Sequence, residues 1–235
     1  MTAPLILDLF AGAGLVADGL IAAGCRVVGV DLHPMKSYPG PFIQADALTL
    51  DPRFIAMFDG IWASPPCLRD TAMRHAPGAK GVDHPELITP TRAMLKRSGL
   101  PYVIENVETA ALHDPVVLCG SMFDLGVTVQ GVRYHLKRHR KFEANFPVYP
   151  PNPCAHASPI IGVYGGHARV RAASAGGRGT ADFVGVEDKT ALMRAAMGVT
   201  RPLTGAEVSQ GVPPIYSRWI AILLRQHLDE RRKAA

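Results

Sequence analysis

The chain has 235 residues, 48% of them hydrophobic, and a formal net charge of +5 with a pI near 9.2. That length suits one large α/β domain with a modest insertion, and that apolar content excludes wholesale disorder. No apolar run reaches the roughly 18 residues that span a bilayer, which argues against a membrane-spanning helix, while the basic balance suits a polyanionic partner.

Pro4 to Phe10 reads as a buried first strand. Gly12 and Gly14 then turn the chain into a helix of about ten residues that ends at Gly24. Arg26 to Asp31 is a second strand closed by an acid, and Phe42 to Ala45 a short third, followed by Asp46. Phe58 to Ala63 is a fourth strand and runs into Pro65-Pro66-Cys67. Residues 68 to 85, with Pro77, Gly78, Gly81 and Pro85, show no period and read as a loop. Glu86 to Ser98 is a helix, Tyr102 to Glu105 a fifth strand and Val116 to Cys119 a sixth. This alternation predicts a doubly wound, Rossmann-like parallel sheet.

The pattern breaks over residues 142 to 185, which are rich in proline and then in glycine. The expected division is a core of residues 1–141, a small inserted lobe of residues 142–185, and C-terminal helices of residues 186–235 that complete the core. Those helices are expected at Glu187 to Met197 and Ile215 to Leu228.

The chemistry-bearing residues gather at predicted strand ends. Gly12-x-Gly14-x-x-Ala17, with Asp31 at the end of the next strand, fits a nucleotide-like cofactor. Cys67 is a candidate nucleophile held by two prolines, and Glu105, with Asn106 beside it, is a carboxyl group at the neighbouring strand end. A free thiol is only about 3% thiolate at neutral pH, so nearby cations are expected to activate it, with Arg138 and Arg140 as candidates. Burial beside a base would raise the pKa of Glu105. Arg133 to Lys141 holds five Lys/Arg and no acid, which reads as a strand that grips phosphates and bases.

Cys25, Cys67, Cys119 and Cys154 include no C-x-x-C pair, and no secretory signal precedes them, so reduced cytoplasmic thiols are expected. Cys154, His156 and His167 match no zinc spacing, and no metal is expected. Cys25, Cys119 and Cys154 read as packing residues.

Asp8-Leu9-Phe10-Ala11-Gly12-Ala13-Gly14, Pro65-Pro66-Cys67 and Glu105-Asn106-Val107, in this order, resemble the motifs of the DNA (cytosine-5) methyltransferases. Arg138 and Arg140 match that family's Gln-x-Arg-x-Arg element, with Leu136 in the glutamine position. Ser209 to Pro214 looks like its last motif, with Gln210 in place of asparagine. The small size and the stretch Gly162 to Gly166 look most like phage and prophage members, found in the cytoplasm of bacterial or infected cells.

The resemblance implies S-adenosylmethionine as cofactor. Phe10 would pack on the adenine, Gly12, Gly14 and Pro66 would border the donor, Asp31 would hold the ribose hydroxyls, and Asp46 would accept from the adenine amino group. Cys67 would attack carbon 6 of a flipped-out cytosine, with Glu105 on the ring nitrogen. Leu68, where the family has glutamine, would fill the gap left by the base, and Arg69 and Asn106 would contact substrate. Arg69, Arg74 and Lys80 would arm a lid over duplex DNA. Arg169, Arg171 and Arg178 of the insertion would read a short target of about two to four base pairs. A monomer is expected. The alternatives are an RNA cytosine-5 methyltransferase and a catalytically silent DNA-binding relative. A nicotinamide-dependent oxidoreductase would account for the glycine turn and Asp31 alone.

Overall fold

In this computed structural model, the described residues are 2–66, 86–156, 159–165, 167–171, 180–181, 183 and 186–234. Strand β1 (Leu5–Leu9) leads through a glycine turn into α1 (Leu15–Ala22). Then come β2 (Arg26–Asp31), β3 (Phe42–Gln44), the single turn α2 (Pro52–Ile55), β4 (Gly60–Ala63), α3 (Ile88–Ser98) and β5 (Tyr102–Asn106). After β6 (Val116–Leu118), strands β7 (Gly126–Val129), β8 (Val132–Leu136) and β9 (Arg140–Ala144) follow closely. Strands β10 (Ile160–Tyr164), β11 (His167–Arg171) and β12 (Thr180–Ala181) precede α4 (Lys189–Met197), α5 (Gly205–Gln210) and α6 (Pro214–Ala234).

The main sheet has seven strands in the order β3-β2-β1-β4-β5-β9-β6. The first five are parallel, and β9 enters antiparallel to both β5 and β6. Buried parallel strands are apolar on both faces, and β1 shows why. Leu7 and Leu9 pack on the side of α2 and α3, while Ile6 packs on the side of α1 and α6. Helix α6 crosses α1 at Gly19, where a Cβ would sit 2.0 Å from the Pro214 carbonyl oxygen. Ser217 Oγ donates to the Val16 carbonyl at 2.9 Å across the same crossing. Arg92 of α3 and Glu143 of β9 form a buried two-pronged ion pair, 2.8 Å at its shortest, that ties helix to sheet.

A second sheet, β12-β11-β10-β8-β7, packs its own core against α4 and α5. Its strands come from both sides of residue 142, and residues 142–144 belong to β9 in the main sheet. The basic segment 133–141 is also divided, with β8 in the small sheet and β9 in the large one. Among the described residues, no helix is long and apolar enough to cross a membrane.

Candidate active site

The turn after β1 bends through left-handed backbone at Phe10 (φ 57°), Gly12 (φ 49°) and Gly14 (φ 80°). Gly14 is required twice over: a Cβ there would lie 2.4 Å from Pro39 Cδ and 2.9 Å from the Tyr38 ring. Gly12 differs, because a Cβ there would meet nothing within 4 Å. Its open side is where a ligand can approach the backbone closely. Asp31, at the end of β2, accepts from Gly12 N–H at 3.0 Å and from His33 N–H at 3.1 Å. Its carboxylate is thereby fixed beside the turn. Asp46 is exposed and caps the following short turn, accepting from Leu48 N–H at 2.9 Å. Phe10 packs against the core on the α3 side.

The second half of the site lies at the ends of β4 and β5. Glu105 is nearly buried, and its Oε1 stands 3.1 Å from Arg140 Nε at the start of the adjacent antiparallel strand. Burial raises the Glu105 pKa; the Arg140 charge and a hydrogen bond with Ser64 pull it partly back. Asn106, 3% exposed, turns both ends of its amide to the backbone. Its Nδ2 donates to the Pro65 carbonyl at 3.0 Å, and its Oδ1 accepts from Val107 N–H at 2.9 Å. Asn106 therefore anchors Pro65, which is buried, while Pro66 beside it is exposed. Cys67, Leu68 and Arg69 lie outside the described residues, as do Arg74, Lys80 and Arg178.

Arg138 and Arg140, paired in the sequence reading, have separate surroundings. Arg138 is fully buried, and its guanidinium donates to the carbonyls of Val163, Ser209 and Gly211. Burial, with the Arg140 charge beside it, lowers its pKa to about 9, so it stays charged at neutral pH. It joins the β8–β9 link to β10 and to the turn between α5 and α6. Arg140 alone of the two makes the ion pair with Glu105.

Three residues at the site escaped the sequence reading. Arg201 makes a two-pronged ion pair with Asp18 of α1 and donates to the carbonyls of Ala13 (2.7 Å) and Ser37, so it braces the glycine turn from a distant segment. Tyr38 packs over Gly14 and Gly29 and donates to Asp8 Oδ2 at 3.1 Å. Ser64, directly before Pro65, bonds to Glu105 and accepts from Trp62 Nε1 at 3.1 Å. No local pattern announces Arg201 or Tyr38, whose partners are remote; the position of Ser64 before the two prolines was the one available signal.

The cysteine reading also needs correction. Cys25 packs in the core as expected, but Cys154 is exposed. Cys154 and His156 converge on Cys119 and His139, the four potential ligand atoms lying within 4.8 Å of one another. Short-range spacing could not show this, because the four residues come from three separate segments.

No protein-family model and no curated protein matches the chain. Among solved structures, it is similar to the S. pombe Dnmt2 methyltransferase, with a TM-score of 0.59 and 12% identity over 95% of this chain and 99% of that one. It is similar to the Entamoeba histolytica methyltransferase EhMeth, with a TM-score of 0.58 and 11% identity over 97% and 99%. A mutant of Spodoptera frugiperda DNMT2 aligns with a TM-score of 0.44 and 17% identity over 68% of this chain, which spans 55% of that protein's length. At these identities the likeness is one of fold: the chain has the Rossmann-like α/β fold of these methyltransferases.

Proposed function

We propose that the protein transfers a methyl group from S-adenosylmethionine to carbon 5 of cytosine in DNA. The observation that carries this reading is the grouping of Ser64 and Pro65, just before Cys67 in the chain, with Glu105 and Asn106 at the end of β5 and Arg140 at the start of β9. Ligands of open α/β sheets bind outside the carboxyl ends of the strands, and this group stands there beside the glycine turn.

The residues at the carboxyl ends of β1 and β2, on the same edge of the sheet, fit the donor. The open side of Gly12 admits a close-lying group, Asp31 presents a fixed carboxylate for the ribose hydroxyls, and Phe10 and Asp46 border the adenine side. Bound S-adenosylmethionine supplies an electrophilic methyl group and leaves as S-adenosylhomocysteine.

Aromatic carbon 5 is a poor nucleophile until the ring is opened to addition. The Cys67 thiolate forms a bond to carbon 6 while the Glu105 carboxyl holds ring nitrogen 3 and the exocyclic amine. The raised pKa of Glu105 lets it share a proton with the ring as negative charge develops there. The electron pair released by the addition makes carbon 5 nucleophilic, and carbon 5 takes the methyl group. Loss of the carbon 5 proton to solvent restores the double bond and expels the Cys67 thiolate. Carbon 6 is shielded within a duplex, so the target base must leave the stack. The small sheet and the basic chain around it are the surface that meets the nucleic acid.

Incubating duplex DNA, single-stranded DNA and RNA with S-adenosylmethionine and wild-type or Cys67→Ala protein tests this reading by nucleoside mass spectrometry. 5-Methylcytosine from DNA with the wild type alone supports it. Product from RNA alone reassigns the substrate, and the absence of any methylated base from folded wild-type protein overturns it.

A further inference from the structure

We propose that Cys119, His139, Cys154 and His156 form a structural zinc(II) site, independent of the methyl-transfer reading. Cys119 follows β6, His139 lies in the link between β8 and β9, and Cys154 and His156 lie on the proline-rich chain that leaves β9. His139 Nε2 and His156 Nε2 are 3.1 Å apart. Cys154 Sγ is 3.4 Å from His139 Nε2 and 3.2 Å from His156 Nε2, and Cys119 Sγ is 3.3 Å from His156 Nε2.

A tetrahedral zinc ion with Zn–S of about 2.3 Å and Zn–N of about 2.0–2.1 Å sets its ligand atoms roughly 3.3 Å apart for two nitrogens and roughly 3.5 Å apart for nitrogen and sulfur. The observed separations are close to these. Two thiols and two imidazoles are the soft donor set that selects zinc over magnesium or calcium. Four protein ligands close the coordination shell, which is the signature of a structural rather than a catalytic ion.

A second, independent observation lies outside the ligand atoms. His139 Nδ1 stands 2.8 Å from Glu108 Oε1. A carboxylate on the far nitrogen fixes the tautomer and leaves Nε2 free to ligate, the usual outer-shell partner of a metal-bound histidine. Ser121 Oγ, 3.5 Å from Cys154 Sγ, adds a hydroxyl beside the sulfur.

The location gives the ion work to do. Residues 145–156 hold no helix or strand, and the ion fastens their far end to the main sheet. His139 sits between Arg138, which bonds to the small sheet, and Arg140, which meets Glu105. A zinc ion here pins the link that carries both arginines to the proline-rich chain after β9.

The test uses the full chain, purified under reducing conditions from cells grown with added zinc, and measures metals by inductively coupled plasma mass spectrometry. About one zinc per chain is expected, with replacement by Co²⁺ giving the visible spectrum of tetrahedral thiolate-ligated cobalt. Cys154→Ser and His156→Ala, both at exposed positions, are expected to lose the metal, and Cys25→Ala to keep it. Stripping the wild type with a chelator is expected to lower its melting temperature. Wild-type protein with no zinc and no cobalt spectrum overturns the site, as does zinc retained in both the Cys154→Ser and His156→Ala proteins. The wild-type measurements decide the matter even where a variant fails to fold.

Discussion

Glu105 on β5 and Arg140 on β9 face each other across an antiparallel strand pair, with Oε1 and Nε 3.1 Å apart and both side chains nearly buried. The pair sets the charge of the carboxyl group proposed to hold the cytosine ring. Burial favours neutral Glu105, and Arg140 opposes that preference. Arg140→Met removes the largest part of that opposition, so the Glu105 pKa rises further. Turnover is expected to fall roughly 10²-fold, within the range for a disturbed acid–base group. The alkaline limb of the pH–rate profile, where Glu105 loses its proton, is expected to move to higher pH. A limb that stays in place in the variant assigns Arg140 a packing role only.

Asn106 gives a separable prediction. Its amide joins Pro65 to the end of β5 through hydrogen bonds with the Pro65 carbonyl and Val107 N–H. Asn106→Ala leaves the Pro65 carbonyl and Val107 N–H without their partner, at a cost of about 1–3 kcal/mol in stability. Turnover is expected to drop by at least about tenfold, as for a small misplacement of a reacting group. Binding of S-adenosylmethionine, measured by calorimetry, is expected to hold. Equal losses in donor affinity and turnover would show that Asn106 supports the whole site and not the Pro65–Cys67 segment.

Asp8 predicts a pH dependence of stability. It is fully buried, burial raises its pKa well above the ordinary carboxylate value, and Tyr38 partly offsets that rise. Between the unfolded value of about 3.9 and the raised folded value, the folded chain holds a proton that the unfolded chain has lost. Stability therefore falls as pH rises through that window. Asp8→Asn cannot titrate and is expected to flatten the fall that sets in as pH rises above the unfolded value of about 3.9, measured by urea unfolding. An unchanged slope contradicts the burial of a neutral Asp8.

The legible parts of the fold were those that local chemistry dictates. Leu5–Leu9, Arg26–Asp31 and Tyr102–Asn106 are apolar runs because a parallel strand is covered on both faces, and each emerged within a residue or two of its true limits. The small sheet was not legible. β7 and β8 are short and half-exposed, and β10 pairs with β8 across a proline-rich stretch, so neither periodicity nor length marked them. β9 was hidden for another reason. The basic run 133–141 looks continuous, and only pairing with β5 and β6 reveals that it changes sheets at residues 137–139.

At the site, the glycine turn, Pro65-Pro66 and Glu105 were readable because each is a local motif at a strand end. The different fates of Arg138 and Arg140 were not, since two residues of one type and similar sequence position differ only in what tertiary packing sets around them. Arg201, the Tyr38–Asp8 contact and the Cys119–His139–Cys154–His156 cluster follow the same rule. Their partners are brought together by topology, which no local spacing encodes.

The proposed reaction turns on a covalent bond from Cys67 to cytosine carbon 6. DNA carrying 5-fluorocytosine tests it directly, because fluorine at carbon 5 cannot leave as a proton and the adduct cannot resolve. With S-adenosylmethionine present, a stable protein–DNA adduct is expected, located at Cys67 by peptide mass spectrometry, and none with Cys67→Ala. Methylation of ordinary DNA with no adduct on the fluorinated DNA, or an adduct on another residue, would contradict it.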